Sequence, residues 1–333
     1  MIENMAASYQ VRTKNRAAHG YGIIIACMLI AASLSAQDSD NSKILWSANW
    51  STDGKYIAVG GVDKKIRLYN GKSFALIKVI DTDTEIQRMS WHPFANILAV
   101  AAVGNGSKII DLDKQTEYKL EGDKGYGSRA IAWNYTGELL AVADYEGEIT
   151  IRTPEGKLIR TITKSNTKGN VAIDWHPAKD EFIVLSEAVR IYDAEGVLLS
   201  EFKHRKQDVL LLCVKWHTNG GYFVLGDYGD NEQGYSPVLQ YRMSDGTLIR
   251  ELRFGTAEYR NISWSRNGKL LASASDKLRI WDRDGKLIAE GPPEDKLWGV
   301  DWSADGKFIV TSSHEGHIKI WDAKAKFVRE LTY

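Results

Sequence analysis

The stretch that decides the fold is Val300-Asp-Trp-Ser-Ala-Asp-Gly-Lys-Phe-Ile-Val-Thr311, continued by Ile318-Lys-Ile-Trp-Asp322 and Phe327-Val-Arg-Glu-Leu331. A tryptophan closes one short apolar run, Asp305-Gly306 follows, and three more runs come after it, alternating or rich in β-branched residues. Asp-Gly is a strong hairpin signal, because glycine accepts positive φ without strain. The unit therefore reads as four short antiparallel strands.

Outward from this unit, the pattern repeats along the chain. Tryptophan recurs at 50, 91, 133, 175, 216, 264 and 302, in steps of 41, 42, 42, 41, 48 and 38 residues. Turns follow most of them, as in Ser51-Thr-Asp-Gly54, Asn134-Tyr-Thr-Gly137 and Ser265-Arg-Asn-Gly268. Second runs such as Tyr56-Ile-Ala-Val59 and Leu139-Leu-Ala-Val142 come next, then third runs such as Val189-Arg-Ile-Tyr192 and Leu278-Arg-Ile-Trp281. No segment sustains a helical period. A four-stranded unit of about 40 residues cannot cover both its faces alone, whereas repeats stacked radially into a closed ring can. The expectation is an all-β, seven-bladed β-propeller over residues 44–333. Its blades are expected at about 44–80, 84–120, 127–163, 169–202, 208–252, 257–290 and 295–332.

The sequence then resembles the WD-repeat β-propellers. Trp281-Asp282 and Trp321-Asp322 carry the signature dipeptide, and Tyr192-Asp193 and Leu112-Asp113 fill the same slot. The resemblance covers residues 44–332, with two departures. The family's Gly-His pair is missing from every unit, and the slot is degenerate at Tyr69-Asn70, Arg152-Thr153 and Arg242-Met243. The family's hydrogen-bonded network is therefore expected to be incomplete, with tryptophan packing in compensation. The first unit starts on its innermost strand and the last ends on its outermost. Each unit is thus expected to supply its own four strands, leaving the seam between units one and seven to side chains.

Composition narrows the function. Lys+Arg and Asp+Glu are equal at 43 each, which argues against a nucleic-acid partner, since such proteins carry a basic excess or stripe. Residues 1–36 read as a cleavable signal peptide: Arg12, Lys14 and Arg16, then the apolar run from Tyr21 to Ala32, then Ser33-Leu-Ser-Ala36. That run is shorter than the roughly 20 residues of a membrane span, so no membrane insertion is expected after cleavage; an uncleaved anchor is the alternative. The expected location is the periplasm or the extracellular space. Cleavage would leave Cys213 as the sole cysteine. It lies in the apolar run Leu210-Leu-Leu-Cys-Val214, so an inert core thiol is expected, not a disulfide.

Counting back from each repeat tryptophan locates a candidate site. Two residues before stand Ala48, Met89, Ile131, Ile173, Val214, Ile262 and Val300, all apolar as a core-facing period of two requires. Four residues before stand Trp46, Gln87, Arg129, Val171, Leu212, Arg260 and Trp298, where the rule breaks. This position is read as the mouth of the central channel, and in WD-repeat proteins the matching position contacts partners. Trp46, Arg260 and Trp298 belong to neighbouring units of a closed ring. With Gln87 and Arg129 across the opening, they form the expected partner-binding patch, of residue types that concentrate binding energy. The alternative is that Trp46 and Trp298 plug a loosely packed channel.

Other features read more plainly. The insertion Asp227–Pro237 in unit five is expected on the mouth side, as a solvated acidic loop rather than a calcium site. His92, His176 and His217 follow their tryptophans as turn residues. His314-Glu-Gly-His317 reads as a solvated hairpin, since a zinc site needs a third ligand. No phosphate loop or nucleophile elbow is present. Glu85 and Glu258 lie in units that are not adjacent, whereas glycosidic carboxylates stand roughly 5–9.5 Å apart. The reading is a non-catalytic scaffold for a protein or peptide, with no cofactor and no metal, and oligomeric state left open. The alternative is an exported propeller that binds or hydrolyses a glycan or other small ligand.

Overall fold

A computed structural model describes residues 41–333, apart from 121, 123, 124, 163–168, 231, 255 and 256. The expected signal at residues 1–36 lies outside the described residues. After a short 3-10 turn at Asn41–Lys43, the chain forms seven antiparallel sheets, each of four consecutive strands in sequential order. In blade one these are Ser47–Trp50, Tyr56–Gly60, Lys65–Asn70 and Leu76–Asp81. The innermost strands of the later blades are Ile86–Trp91, Ser128–Trp133, Ala172–Trp175, Leu211–Trp216, Asn261–Trp264 and Leu297–Trp302. Each touches the innermost strand of the next blade, and Leu297–Trp302 touches Ser47–Trp50, so the ring closes. This is the all-β seven-bladed propeller expected from the repeats.

The hydrophobic core is divided among the blade interfaces. Each of seven apolar clusters joins two adjacent blades. The one at the seam packs Leu45, Trp50 and Ile57 against Val310, Ile318 and Leu331. All seven repeat tryptophans are buried. Trp91, Trp133 and Trp175 also donate their indole N–H to the backbone of the preceding blade, at the carbonyls of Asn49 (3.2 Å), Ser90 (3.2 Å) and Ala132 (2.9 Å).

No strand is borrowed across the seam, but the seam is not held by side chains alone, contrary to expectation. Leu45 N–H donates to the carbonyl of Ser313 at 3.1 Å. The same bond recurs at other junctions: Ile86 to Gly61, Asn170 to Asp144, Tyr259 to Asp227 and Leu297 to Ser275. At these five junctions the N–H entering a new innermost strand meets the end of the preceding blade's second strand. The first blade does this with the seventh, across the whole chain.

The degenerate repeat slots are filled rather than empty. Trp281 and Trp321 are fully buried and donate to Ser273 Oγ (3.0 Å) and Thr311 Oγ1 (2.8 Å). Where arginine replaces tryptophan, the guanidinium bonds back into its own hairpin. Arg152 donates to Thr150 Oγ1 and the Gly156 carbonyl, at 3.1 Å each. Arg242 donates to Gln240 and the carbonyls of Gly246 and His204. At these two slots different chemistry closes the gap; at the third the network is incomplete as expected, since Tyr69 is buried with no partner for its hydroxyl among the described residues.

The three histidines after repeat tryptophans are more than turn residues. Each imidazole Nε2 donates to a carbonyl in the next blade's turn: His92 to Gly137 (3.1 Å), His176 to Gly220 (3.1 Å), His217 to Gly268 (2.8 Å). In His92 and His176, Nδ1 accepts backbone N–H groups of its own turn, which fixes the tautomer. A Cβ at any of these three glycines would overlap the facing imidazole.

Candidate partner-binding face at the channel mouth

The position four residues before the repeat tryptophan has a structural cause for breaking alternation. In blades two, three, five and seven the register of the innermost strand shifts there, leaving Gln87, Arg129, Leu212 and Trp298 unpaired in the ladder. Such β-bulges place two residues opposite one and re-aim a side chain. In blades one, four and six the strand begins one residue later, so Trp46, Val171 and Arg260 precede it. At all seven positions the side chain is released from the regular ladder.

The seven side chains divide into two clusters and two covered residues. Val171 and Leu212 are buried. In blades six, seven and one, Trp46 and Trp298 meet edge to face, with ring centroids 4.2 Å apart and planes at 71°. The Arg260 guanidinium lies 4.4 Å from the Trp298 ring centroid, in cation–π range. Across the mouth, Tyr145 donates its hydroxyl to Gln87 Oε1 at 2.9 Å and lies beneath Arg129, 5.5 Å from guanidinium to ring. Tyr145 was not among the expected residues. It comes from the end of blade three's second strand, which the tryptophan count does not reach.

Arg88 was also missed, and it joins the clusters. Its guanidinium donates to the carbonyls of Trp46 (3.0 Å) and Arg260 (3.4 Å). Burial pulls its pKa down to about 10, with the Arg129 charge adding to the effect. Below it the channel is a cavity of about 220 Å³ with a polar lining. Lys215, which lines it, ion-pairs with Asp174 at 2.7 Å, and Asp174 accepts the backbone N–H of Trp216. Asp301 accepts from Ser263 Oγ (2.6 Å) and from the backbone N–H of Trp50. Burial raises the carboxyl of Asp301; it also opposes the Lys215 charge, but the attraction of Asp174 outweighs it and raises that pKa. These groups occupy the odd offsets before each tryptophan. Asn49, Ser90, Asp174, Lys215, Ser263 and Asp301 are polar at six of seven such positions, a signal present in the sequence.

Two expectations are corrected. His314 is not in a solvated hairpin: it is 4% exposed, and its Nδ1 accepts the Trp298 indole N–H at a long 3.4 Å. Its partner in the motif, His317, is exposed and pairs with Glu330. Asp227 is likewise no solvated acid. It is fully buried, where it pairs with Arg205 (2.7 Å) and His204 (3.1 Å) and accepts the N–H groups of Gly229 and Val238. It anchors the insertion, while Glu232 is exposed. Cys213 is buried, and burial pushes its thiol up to about 12, as an inert core cysteine requires. Among the described residues, no group of three or more His, Cys, Asp or Glu side chains could hold a metal ion, and no helix is long and apolar enough to cross a membrane.

Four-stranded blades in a closed ring, with signature dipeptides bonded inside two of them, define the class. A family model described as "WD domain, G-beta repeat" matches residues 30–70 and 285–322. The chain belongs to the WD-repeat β-propellers, which are in general non-catalytic scaffolds that bind protein partners. It is 28% identical over 119 residues to "Probable cytosolic iron-sulfur protein assembly protein 1" of Kluyveromyces lactis, a match covering 31% of this chain and 35% of that protein. It is 25% identical over 186 residues to "Intraflagellar transport protein 122 homolog" of Danio rerio, covering 53% and 15%. A third relative, a "Probable cytosolic Fe-S cluster assembly factor" of Schizosaccharomyces pombe, is 31% identical over 113 residues, covering 32% and 18%. The chain thus spans about a third or less of the length of these relatives.

Proposed function

We propose that the protein is a non-catalytic scaffold that takes a peptide or protein segment across the channel mouth, with Trp46, Trp298 and Arg260 as the anchor and Gln87 and Arg129 opposite. The observation that carries this reading is the joined aromatic–guanidinium cluster of three neighbouring blades, built at positions freed from the strand ladder. Tryptophan and arginine in a packed, water-excluding patch are the residues that dominate interface energies. The glycan alternative has less support. One face of Trp298 is covered by Arg260 and its edge meets Trp46, so little open indole face is left for a sugar ring.

The test is the double variant Trp46→Ser/Trp298→Ser in affinity capture from the native compartment. Loss of the partner at unchanged melting temperature supports the reading. Loss of stability with the partner retained would make the two rings a channel plug. Titration of intrinsic tryptophan fluorescence with oligosaccharides would respond only under the glycan alternative.

Export through residues 1–36 is part of the same proposal, and it rests on the order of charges, apolar run and small residues there. Two of the three relatives are described as cytosolic, but each aligns with under a third of this chain. N-terminal sequencing of the natural product decides: a start near Gln37 supports export, an intact Met1 overturns it.

A further inference from the structure

The anchor cluster holds an unusual set of unused hydrogen-bonding groups. Arg260 is 2% exposed, and its Nη2 is bonded to Glu258, yet its Nε and Nη1 have no partner among the described residues. The indole Nε1 of Trp46 is buried and unpartnered, as is Nε2 of His314. The role of the last can be assigned. An indole N–H only donates, so His314 Nδ1, facing Trp298 Nε1, is the acceptor, and Nε2 carries the ring's proton. Burial holds this imidazole neutral, and the nearby Lys296 and Arg260 charges add to the effect. All the unused groups are therefore donors, and Trp298 touches each of the three side chains that carry them. Buried donors without acceptors are costly and rare in folded proteins. Donors gathered without an acceptor fit an oxyanion. Arg260, Lys296 and Arg88 supply the attracting field; Glu258, Asp276, Asp295 and Glu315 are the opposing charges, and the one bond from Glu258 leaves the rest of the guanidinium fork open.

We propose that the donors grouped around Trp298 in blades six, seven and one recognise a carboxylate of the peptide partner, received by Arg260, Trp46 and His314. This rests on mouth docking and names what docks. The carboxylate comes from an acidic side chain or from a chain terminus.

The test uses two pairs of synthetic tripeptides with the full-length protein. One pair is a doubly blocked tripeptide with central aspartate and its asparagine analogue. The other is an N-acetylated tripeptide with a free C-terminal carboxylate and its carboxamide. The readouts are affinity and the nitrogen-15 indole resonances of Trp46 and Trp298. Expected is at least about tenfold tighter binding of one acid over its neutral analogue, the size of one charge-assisted hydrogen bond, with a shift of the Trp46 indole N–H. Which pair shows the preference identifies the source. Arg260→Lys, checked for an unchanged melting temperature, should lose about tenfold of that preference, because lysine lacks the fork. Equal binding of acid and neutral analogue, with both indoles responding, overturns the carboxylate and leaves mouth docking standing. A response to methyl glucuronide but to neither tripeptide acid overturns the peptide source. No indole response to any peptide, in a protein that still captures its partner, overturns both.

Discussion

The N–H of Leu45 donates to the carbonyl oxygen of Ser313 at 3.1 Å, joining the first strand's entry to the last blade. Ser312 Oγ supports it by donating to the Leu45 carbonyl at 2.8 Å. The ring therefore closes with the bond that also links four of its interior junctions. In many closed rings the seam is where the ends of the chain fray. Here native-state hydrogen exchange should find the Leu45 amide as protected as those of Ile86 and Leu297, its counterparts at interior junctions. Exchange of Leu45 orders of magnitude faster than both would mean that the seam opens first.

The repeat tryptophans divide by what their indole nitrogens do. Trp175 donates to the Ala132 carbonyl at 2.9 Å, whereas the Nε1 of Trp50 is buried without a partner among the described residues. Truncating either to alanine should cost about 3–5 kcal/mol, because both fill an interface cluster. Phenylalanine separates them. Trp175→Phe loses a hydrogen bond, and should be about 1 kcal/mol more destabilising than Trp50→Phe, which also removes a costly unpaired donor. Urea unfolding of the four variants measures this; equal costs for the two phenylalanine variants would refute it.

The fold was legible because the indole spacing reports one packing event repeated seven times, and a repeat cannot be satisfied except by its neighbours. Trp46, Trp298 and Arg260 were legible because apolar alternation failed at one offset. The cause of that failure was not: a bulge at Trp298 is a backbone property with no residue signature. Arg88 was hidden for the same reason. It stands beside bulged Gln87, so a count of even offsets passes over it. Asp227 and His314 misled because exposure was inferred from residue type, and only tertiary neighbours such as Arg205 and Trp298 bury and satisfy them.

The imidazole of His92 makes stability depend on pH. Burial lowers its pKa, and its Nδ1 accepts two backbone N–H groups, so protonation at Nδ1 breaks those two turn bonds while Nε2–H still donates to Gly137. The folded pKa lies below the unfolded value of about 6.5, so between the two the unfolded chain binds more protons. Stability is then full above about pH 6.5, falls as the pH drops toward the folded pKa, and levels off below it. His314 shifts in the same direction for the same reason and contributes to the same window. Melting temperature measured from pH 7.5 to about 5 should fall less steeply in His92→Gln than in the parent. Gly137→Ala probes the bridge from the other side. Its φ of +76° and its contact with the ring should make it destabilising by more than about 1 kcal/mol at any pH.

The last prediction concerns the insertion beside the mouth. Asp227 gives one carboxylate oxygen to Arg205 and His204 and the other to the N–H groups of Gly229 and Val238, so both ends of the loop hang on one side chain. Its own carbonyl accepts the Tyr259 N–H, the residue before Arg260, so the loop anchor and the docking cluster share a backbone. Asp227→Ala would leave a half-buried guanidinium, His204 and two amides without their acceptor, and should cost about 3–5 kcal/mol. Asp227→Asn keeps the shape and one acceptor and should cost less, because the two amides stay satisfied while the ion pair is lost. The loop is the sensitive reporter. Proteolysis at the exposed Glu232–Gln233 stretch should quicken markedly in the alanine variant and modestly in the asparagine variant, at temperatures where the propeller remains folded. If both variants are cleaved at the parent's rate, Asp227 does not hold the loop, and its burial serves only the interface between blades five and six.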